Sequence, residues 1–497
     1  MRLLFVMLFV CAACENGSIA GHASSTDQPG FDTVAEQLQI VSAGSSSVAG
    51  LARQPAQDAC ARNNNGGCEQ ICKNKGRSFV CECEAGAYLK SDGRSCWSWH
   101  SVQRVENYDG GDATEPRVAT DPQGRASAVW TQAGTLTSIW SSRLANSGWG
   151  AAVEIDGSDA RGARTPQLTV SDNGDAVALW QRATQTIGYT ANLFRNGAWG
   201  TPQTLFESAP SSAFFGPALS GSRNGAALMA WASTAGRGSG LAASTLSGTT
   251  WTTTGLPLGA TTSFPTMGNV RDANGPNGEG ALLWSQTDQT GLKLWINQFR
   301  NAQWGTPLQI DAAAADGFGE AGIAVVRGPA EVVVWKGTHA IWANKHTSSW
   351  TGAVKLRDLA AGATVSNVQV VSDPRGNAAF ALWLENDRVW ASAFNGNTWS
   401  LAVNIEAVTT GNAAAPSIAL EPSGIAVAVW SHAAARADIW ANRYAPSSGW
   451  GTAVRLESDD AGDAASPSVA VDSRGNAQAV WQQSDGTRIN VVSNHFD

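Results

Sequence analysis

The chain is 497 residues long, with 33 basic and 41 acidic side chains, a formal charge of −8 and only 15% charged residues. An acidic balance with no basic block excludes nucleic acid and an anionic membrane surface as the main partner. Its 53 glycines call for many turns, and 22 tryptophans against 4 tyrosines call for one structural role used repeatedly.

The opening residues, MRLLFVMLFVCAACENGS, put one Arg ahead of an apolar run from Leu3 to Val10. That run is too short to cross a bilayer and suits a secretory signal peptide, assigned to residues 1–13. Ala12 and Ala13 before Cys14 resemble the lipobox of bacterial lipoproteins, which implies lipidation at Cys14 and contact with the membrane through that anchor only. Cys11 stands where that family carries Leu or Val, and cleavage after Ala20 with full secretion is the competing reading. Residues 14–57, rich in Ser, Ala, Gly and Gln, read as a flexible spacer with a short helix near 34–41.

The remaining cysteines all lie within residues 58–96, at Cys60, Cys68, Cys72, Cys81, Cys83 and Cys96. So short a stretch cannot bury enough core to fold unaided, and six Cys in an exported chain read as three disulfides, with 15 pairings open by spacing alone. The NNGGC run, the Cys-x-Cys at Cys81 and Cys83, and the Gly-x-x-Leu-x-x-Asp-Gly stretch resemble an EGF-like domain of the low-density-lipoprotein-receptor type. The resemblance implies the pairs Cys60–Cys72, Cys68–Cys81 and Cys83–Cys96. It also implies a Ca²⁺ site, because Asp58, Asn74 and Phe79 match positions of calcium-binding relatives. Ala56 and Ala59 fall where two further ligands would be, so the expectation is divided between weak Ca²⁺ binding and a stapled spacer without metal.

From 97 to 497 an apolar run ends in Trp at positions 130, 180, 231, 284, 335, 383, 430 and 481, a period of 47 to 53 residues. Each unit divides into four short strands rich in Val, Ile and Trp, bounded by Gly, Pro, Ser and Asp. The second strand, IAVAVW in the seventh unit, is apolar throughout, so both of its faces must be buried. Repeated four-stranded sheets with buried second strands predict a β-propeller, with the Trp side chains as wedges between blades. Trp99–Trp130 aligns without a gap on Trp450–Trp481 with half of the positions identical, so Trp99–Glu106 is a fourth strand lacking its first three. INVVSNHF is a third strand lacking its fourth. The fold class predicted is therefore all-β: an eight-bladed β-propeller closed by an N-terminal strand and preceded by the EGF-like module. Turns such as DPQG, SDNG, EPSG and DSRG resemble the Asp-boxes of sialidase-like propellers, and the repeats resemble bacterial secreted propellers of lectin-like or sialidase-like appearance.

No catalytic constellation emerges. The histidines at 22, 100, 339, 346, 432 and 495 show no metal spacing, and Tyr108, Tyr189 and Tyr444 are expected away from the axis where a sialidase nucleophile would stand. Three connectors between blades are acidic: Asp109 with Asp112, Asp156 with Asp159, and Asp459 with Asp460 and Asp463. In a closed ring these are neighbours, so they are candidates for holding Ca²⁺ or meeting a cationic partner, against the plain reading of solvated rim residues. The function expected is a monomeric cell-surface or secreted binding protein that presents a rigid disc to a glycan or protein ligand. A secreted glycoside hydrolase and an envelope structural protein are the alternatives.

Overall fold

The computed structural model describes residues 58–497, apart from 62–64, 76–77, 85–86, 91, 109, 146–147, 158–161, 184–186, 209–212, 236–237, 260–266, 289–290, 311–315, 329, 409 and 458–461. The segments expected as signal peptide and spacer, Cys14 included, lie outside the described residues, as do Asp109, Asp159, Asp459 and Asp460.

From Ala113 onward, eight antiparallel sheets follow one another, each with its strands in chain order. Blade seven shows the plan, with Asn412–Leu420, Ala426–Ala433 and Ala437–Ala445 followed by two short pieces, Gly449–Trp450 and Val454–Arg455. The fourth strand, expected as one run, is thus broken. Trp450 pairs with Tyr444 and Arg455 with Trp440, so the register slips by one residue between the pieces. The slip bends the outer edge and blunts it against pairing with another sheet.

Burial explains why the second strands are apolar on both faces. Trp130, Trp180, Trp284, Trp335, Trp383, Trp430 and Trp481 are fully buried, and Trp231 nearly so. Each indole packs on the preceding blade: Trp430 against Leu382 of blade six, Trp481 against Val429 of blade seven, and Trp130 against Val480 of blade eight. The last of these contacts closes the circle. Two residues beyond several of these Trp, a polar side chain ties down the incoming connector. Gln132 accepts from the Trp130 indole at 3.0 Å and donates to the Gly111 carbonyl at 2.9 Å, and Gln483 serves Trp481 and Gly462 in the same way. In blade seven His432 takes this place, with Nε2 2.6 Å from the Thr410 carbonyl. Sequence periodicity places the Trp, and Gln132 and Gln483 keep the N–H groups of their buried indoles satisfied.

The first strands surround the axis. In seven blades they carry a bulge, where the register shifts by one residue, as between Thr114 and Arg117 or Ala414 and Ser417. Glu115, Thr165, Ala415 and Ser466 sit there at positive φ, each followed by Pro. Proline has no N–H for a ladder and is confined to such irregularities. Blade five pairs without a shift.

The segment before blade one completes blade eight. Gln103–Arg104 pairs with Val492–Ser493 of the strand Ile489–Phe496, Trp99 bridges Phe496, and Val105 donates to the Val491 carbonyl at 2.9 Å. In the EGF-like module, disulfides join Cys60 to Cys72, Cys68 to Cys81 and Cys83 to Cys96. The module leans on the seam of blade eight. Trp97 stacks on Phe496 at 6.0 Å, Tyr88 meets the same ring edge-on, and the Arg443 guanidinium lies over Tyr88 at 5.3 Å. Gly451 makes room for this, because a Cβ there would overlap the Tyr88 hydroxyl. Among the described residues no helix is long and apolar enough to cross a membrane.

Candidate functional site

Around the axis, the inner strands of neighbouring blades are tied to one another sideways. Gln167 donates to the Pro217 carbonyl and Gln369 to the Pro416 carbonyl, both at 2.7 Å, while the Val118 N–H reaches Ser468 Oγ at 3.2 Å. Asp272 accepts from the Ser220 N–H at 3.1 Å and its hydroxyl at 3.0 Å, and burial pushes its carboxyl up to about 7. The cavity at the connector end, beside Arg117 and Gln369, holds about 250 Å³, and the one at the turn end about 240 Å³. At the turn end two arginines hold neighbouring turns: Arg223 bonds Asp172, and Arg474 donates to the Gln123 carbonyl. Both ends are smaller than the roughly 300–1,000 Å³ of ordinary ligand sites.

Larger spaces open between blades at the outer rim. A groove of about 440 Å³ lies between blades six and seven, lined by Leu401, Val403, Asn404, Glu406, Tyr444 and Trp450. Leu401 is 78% exposed and Val403 is also exposed, an unusual display of apolar surface for residues with no packing partner in the core. Tyr444 and Trp450 form one wall, half-buried and edge to face at 5.6 Å, backed by Phe380. The Glu406 carboxylate is buried at the base, accepting from Arg388 at 3.1 Å and the Val389 N–H at 2.5 Å, with His432 Nδ1 at 3.6 Å. This arrangement offers aromatic faces for stacking and fixed polar groups for orientation.

The residues singled out from sequence fall as follows. Asp58 and Asn74 are brought together, and Phe79 is the cross-strand partner of Asn74. The Asp58 carboxylate accepts from the Asn74 amide and from the Cys60 and Ala61 N–H groups, which holds its pKa below the usual range. With Ala59 beside it, the pair falls short of the six to eight oxygens that Ca²⁺ takes. Asp112 accepts from the Ile489 N–H of blade eight and Asp463 from the Ala437 N–H of blade seven, so both tie a connector to the preceding blade. Asp156 is raised to about 7 by burial and by neighbouring Glu154. Among the described residues, these rim carboxylates form no shared cluster of ligand atoms.

Tyr189 and Tyr108 pack against neighbouring groups, whereas Tyr444 lines the groove. Tyr189 is fully buried, donates to the Gly216 carbonyl at 3.1 Å, and has its phenol pushed up to about 12 by burial. Tyr108 stacks on Trp140. Two groupings were invisible in the sequence: the groove between blades six and seven, and the meeting of His100, His495 and Asp497 across nearly 400 residues. No local spacing could have shown either.

Residues 60–96 match the family described as "Coagulation Factor Xa inhibitory site". The chain is 37% identical to Tolloid-like protein 1 of Mus musculus over 89 residues, 17% of this chain and 9% of that protein. It is 38% identical to Bone morphogenetic protein 1 of Xenopus laevis over 87 residues, 16% and 12% of the respective chains. The matches thus span about a tenth of the length of these curated relatives. Among solved structures, the chain is similar to the Dos1 propeller (TM-score 0.46, 9% identity, 81% of this chain and 95% of that one). It is also similar to an alpha-L-arabinofuranosidase from Fusarium graminearum solved with an iminosugar inhibitor (TM-score 0.40, 10% identity, 80% and 97%). These structural likenesses carry no argument about activity. A module closed by three disulfides belongs to an oxidising compartment, so the chain is exported.

Proposed function

We propose that the chain is an exported binding protein whose disc takes a glycan in the groove between blades six and seven. The observation that carries this reading is the groove itself. It is larger than either end of the channel, and it combines the half-buried Tyr444 and Trp450 with exposed Leu401 and the carboxamide of Asn404. Aromatic faces take the apolar faces of sugar rings, while amide and carboxylate groups take hydroxyls. In the same reading, Cys14 is the lipid-anchored residue and 14–57 the spacer that holds the disc off a cell surface, with the chain acting as a monomer.

A hydrolase would need two carboxyl groups set roughly 5–9.5 Å apart across a cleft. The pair Glu457 and Asp438 does not suit that. Glu457 is raised to about 7 by burial and by a direct hydrogen bond with Asp438, which puts the two groups in contact. Binding of the full chain to an immobilised glycan panel, compared with Leu401→Asp and Asn404→Ala variants, tests the proposal. Loss of retention in both variants with unchanged folding is expected. Retention identical to the parent would remove the groove from consideration, and turnover of chromogenic glycosides would favour the hydrolase.

A further inference from the structure

We infer that His100, His495 and Asp497 form a binding site for a divalent transition metal, zinc by ligand type, that clips together the two chain segments making up blade eight. The inference starts from the repeat. In six other blades a backbone N–H just after the fourth-strand Trp donates to a carbonyl on the third strand: Gly150 to Arg143, Gly200 to Leu193, Gly305 to Gln298, Thr351 to Lys345, Ser400 to Ala393 and Gly451 to Arg443, at 2.7 to 2.9 Å. The donor there is Gly, Thr or Ser, so the two positions never present a pair of ligands. In blade eight the same bond runs from His100 to the His495 carbonyl at 3.0 Å, and both residues are His.

Strand geometry then gathers the third group. Trp99 faces Phe496 and Ser98 exchanges backbone bonds with Asp497, so His100 lies directly opposite His495. Asp497 is two residues beyond His495 and therefore on the same face of the sheet. The imidazoles stack at 4.1 Å, nearly parallel, and His100 Nε2 is 2.6 Å from Asp497 Oδ1. One ligand atom from each of the three lies within 4.8 Å of the others. Backbone position is held on the His100 side by Asn494, which accepts from the His100 N–H at 3.0 Å and donates to its carbonyl at 2.7 Å. The side chains themselves are one-third to one-half exposed.

Two imidazoles and one carboxylate suit zinc, whose bonds to such ligands are about 2.0–2.2 Å long. Binding requires His100 Nε2 and Asp497 Oδ1, now 2.6 Å apart, to open to the roughly 3.3 Å edge of a tetrahedral zinc site while the His495 ring turns in toward them. The metal displaces the proton that His100 shares with Asp497. A fourth position is left for water from the adjoining cavity of about 410 Å³ between blades eight and one, which His495 and Asp497 help to line. Because the ligands come from residues that only the closed ring brings together, bound metal stabilises closure.

The test uses the full chain, freed of chelators, titrated with ZnCl₂ by calorimetry and followed by thermal melting. The variants are His100→Gly, which restores the residue found in four other blades, and Asp497→Asn, which keeps the side chain's shape. Expected results are one Zn²⁺ per chain, a rise in melting temperature of several degrees that Ca²⁺ and Mg²⁺ do not produce, and affinity weakened more than about tenfold in each variant. Co²⁺ should give the visible spectrum of a four-coordinate site in the parent and lose it in His100→Gly. Zn²⁺ affinity equal in parent and both variants, or no Zn²⁺ binding by a parent shown to be folded, overturns the inference.

Discussion

Between Asp58 and Cys96, three disulfides close loops of 12 to 13 residues around almost no apolar core, whereas from Trp97 to Asp497 there is no cysteine at all and cohesion comes from apolar seams between blades. The contrast follows from size. A stretch of some forty residues cannot remove enough apolar surface from water to offset its chain entropy, and covalent links that restrict the unfolded chain supply the difference. Four hundred residues can, provided every sheet has a neighbour on each side. The small region therefore depends on oxidation, and the large one depends on its ring being complete.

Removing Trp97–Glu106 strikes the second dependence and should have the largest effect. The strand Ile489–Phe496 would lose its partner, and the stack of Trp97 and Trp99 on Phe496 would go with it. Insolubility, or a large fall in melting temperature, is expected in thermal melts followed by circular dichroism. Unchanged melting would mean that closure does not hold the disc together.

Reduction strikes the first dependence. With dithiothreitol the module should unfold while the disc keeps most of its near-ultraviolet Trp signal, losing the part due to Trp97 and Trp99 where Tyr88 and Phe496 hold the two regions together. Gly451→Ala sharpens this by pushing Tyr88 away without touching a disulfide, and should reproduce the small spectral change in the oxidised protein. Collapse of the whole Trp signal on reduction would show the disc to be dependent on the module.

The most local effect lies inside the disc. Because the Asp272 carboxyl is raised to about 7 in the folded chain from an ordinary 3.8, the folded state holds a proton that the unfolded state gives up. That stability is fully present below about pH 4 and lost as pH rises through about 7. Asp272→Asn should therefore be more stable than the parent at pH 8, by at most about 4 kcal/mol, with the advantage gone at pH 4. An equal difference at both pH values would mean that the channel does not penalise the carboxylate.

Much of the fold was legible because a propeller repeats its physics. Trp at every 47 to 53 residues marked the blade seams, and the shared defect of the two incomplete units at either end of the repeats disclosed the closing strand. The broken fourth strands and the bulges beside Glu115, Thr165, Ala415 and Ser466 were not legible, since a one-residue slip leaves apolar periodicity almost unchanged. The acidic connectors were legible as charge but not as structure. Asp112 and Asp463 look like solvated rim residues until the ring places a backbone N–H of the preceding blade against each carboxylate.

By itself, then, the sequence determined the architecture: eight sheets, their order, the closing segment and the stapled module, all of which rest on periodic burial and on cysteine count. Only the tertiary structure decided which side chains share a site. The Leu401–Trp450 groove joins neighbouring blades, and His100, His495 and Asp497 meet because ring closure sets the start of the disc against its last strand. The reason is physical. Apolar burial is read from short windows along the chain, whereas a site is defined by distances between residues whose separation in sequence carries no information about their separation in space.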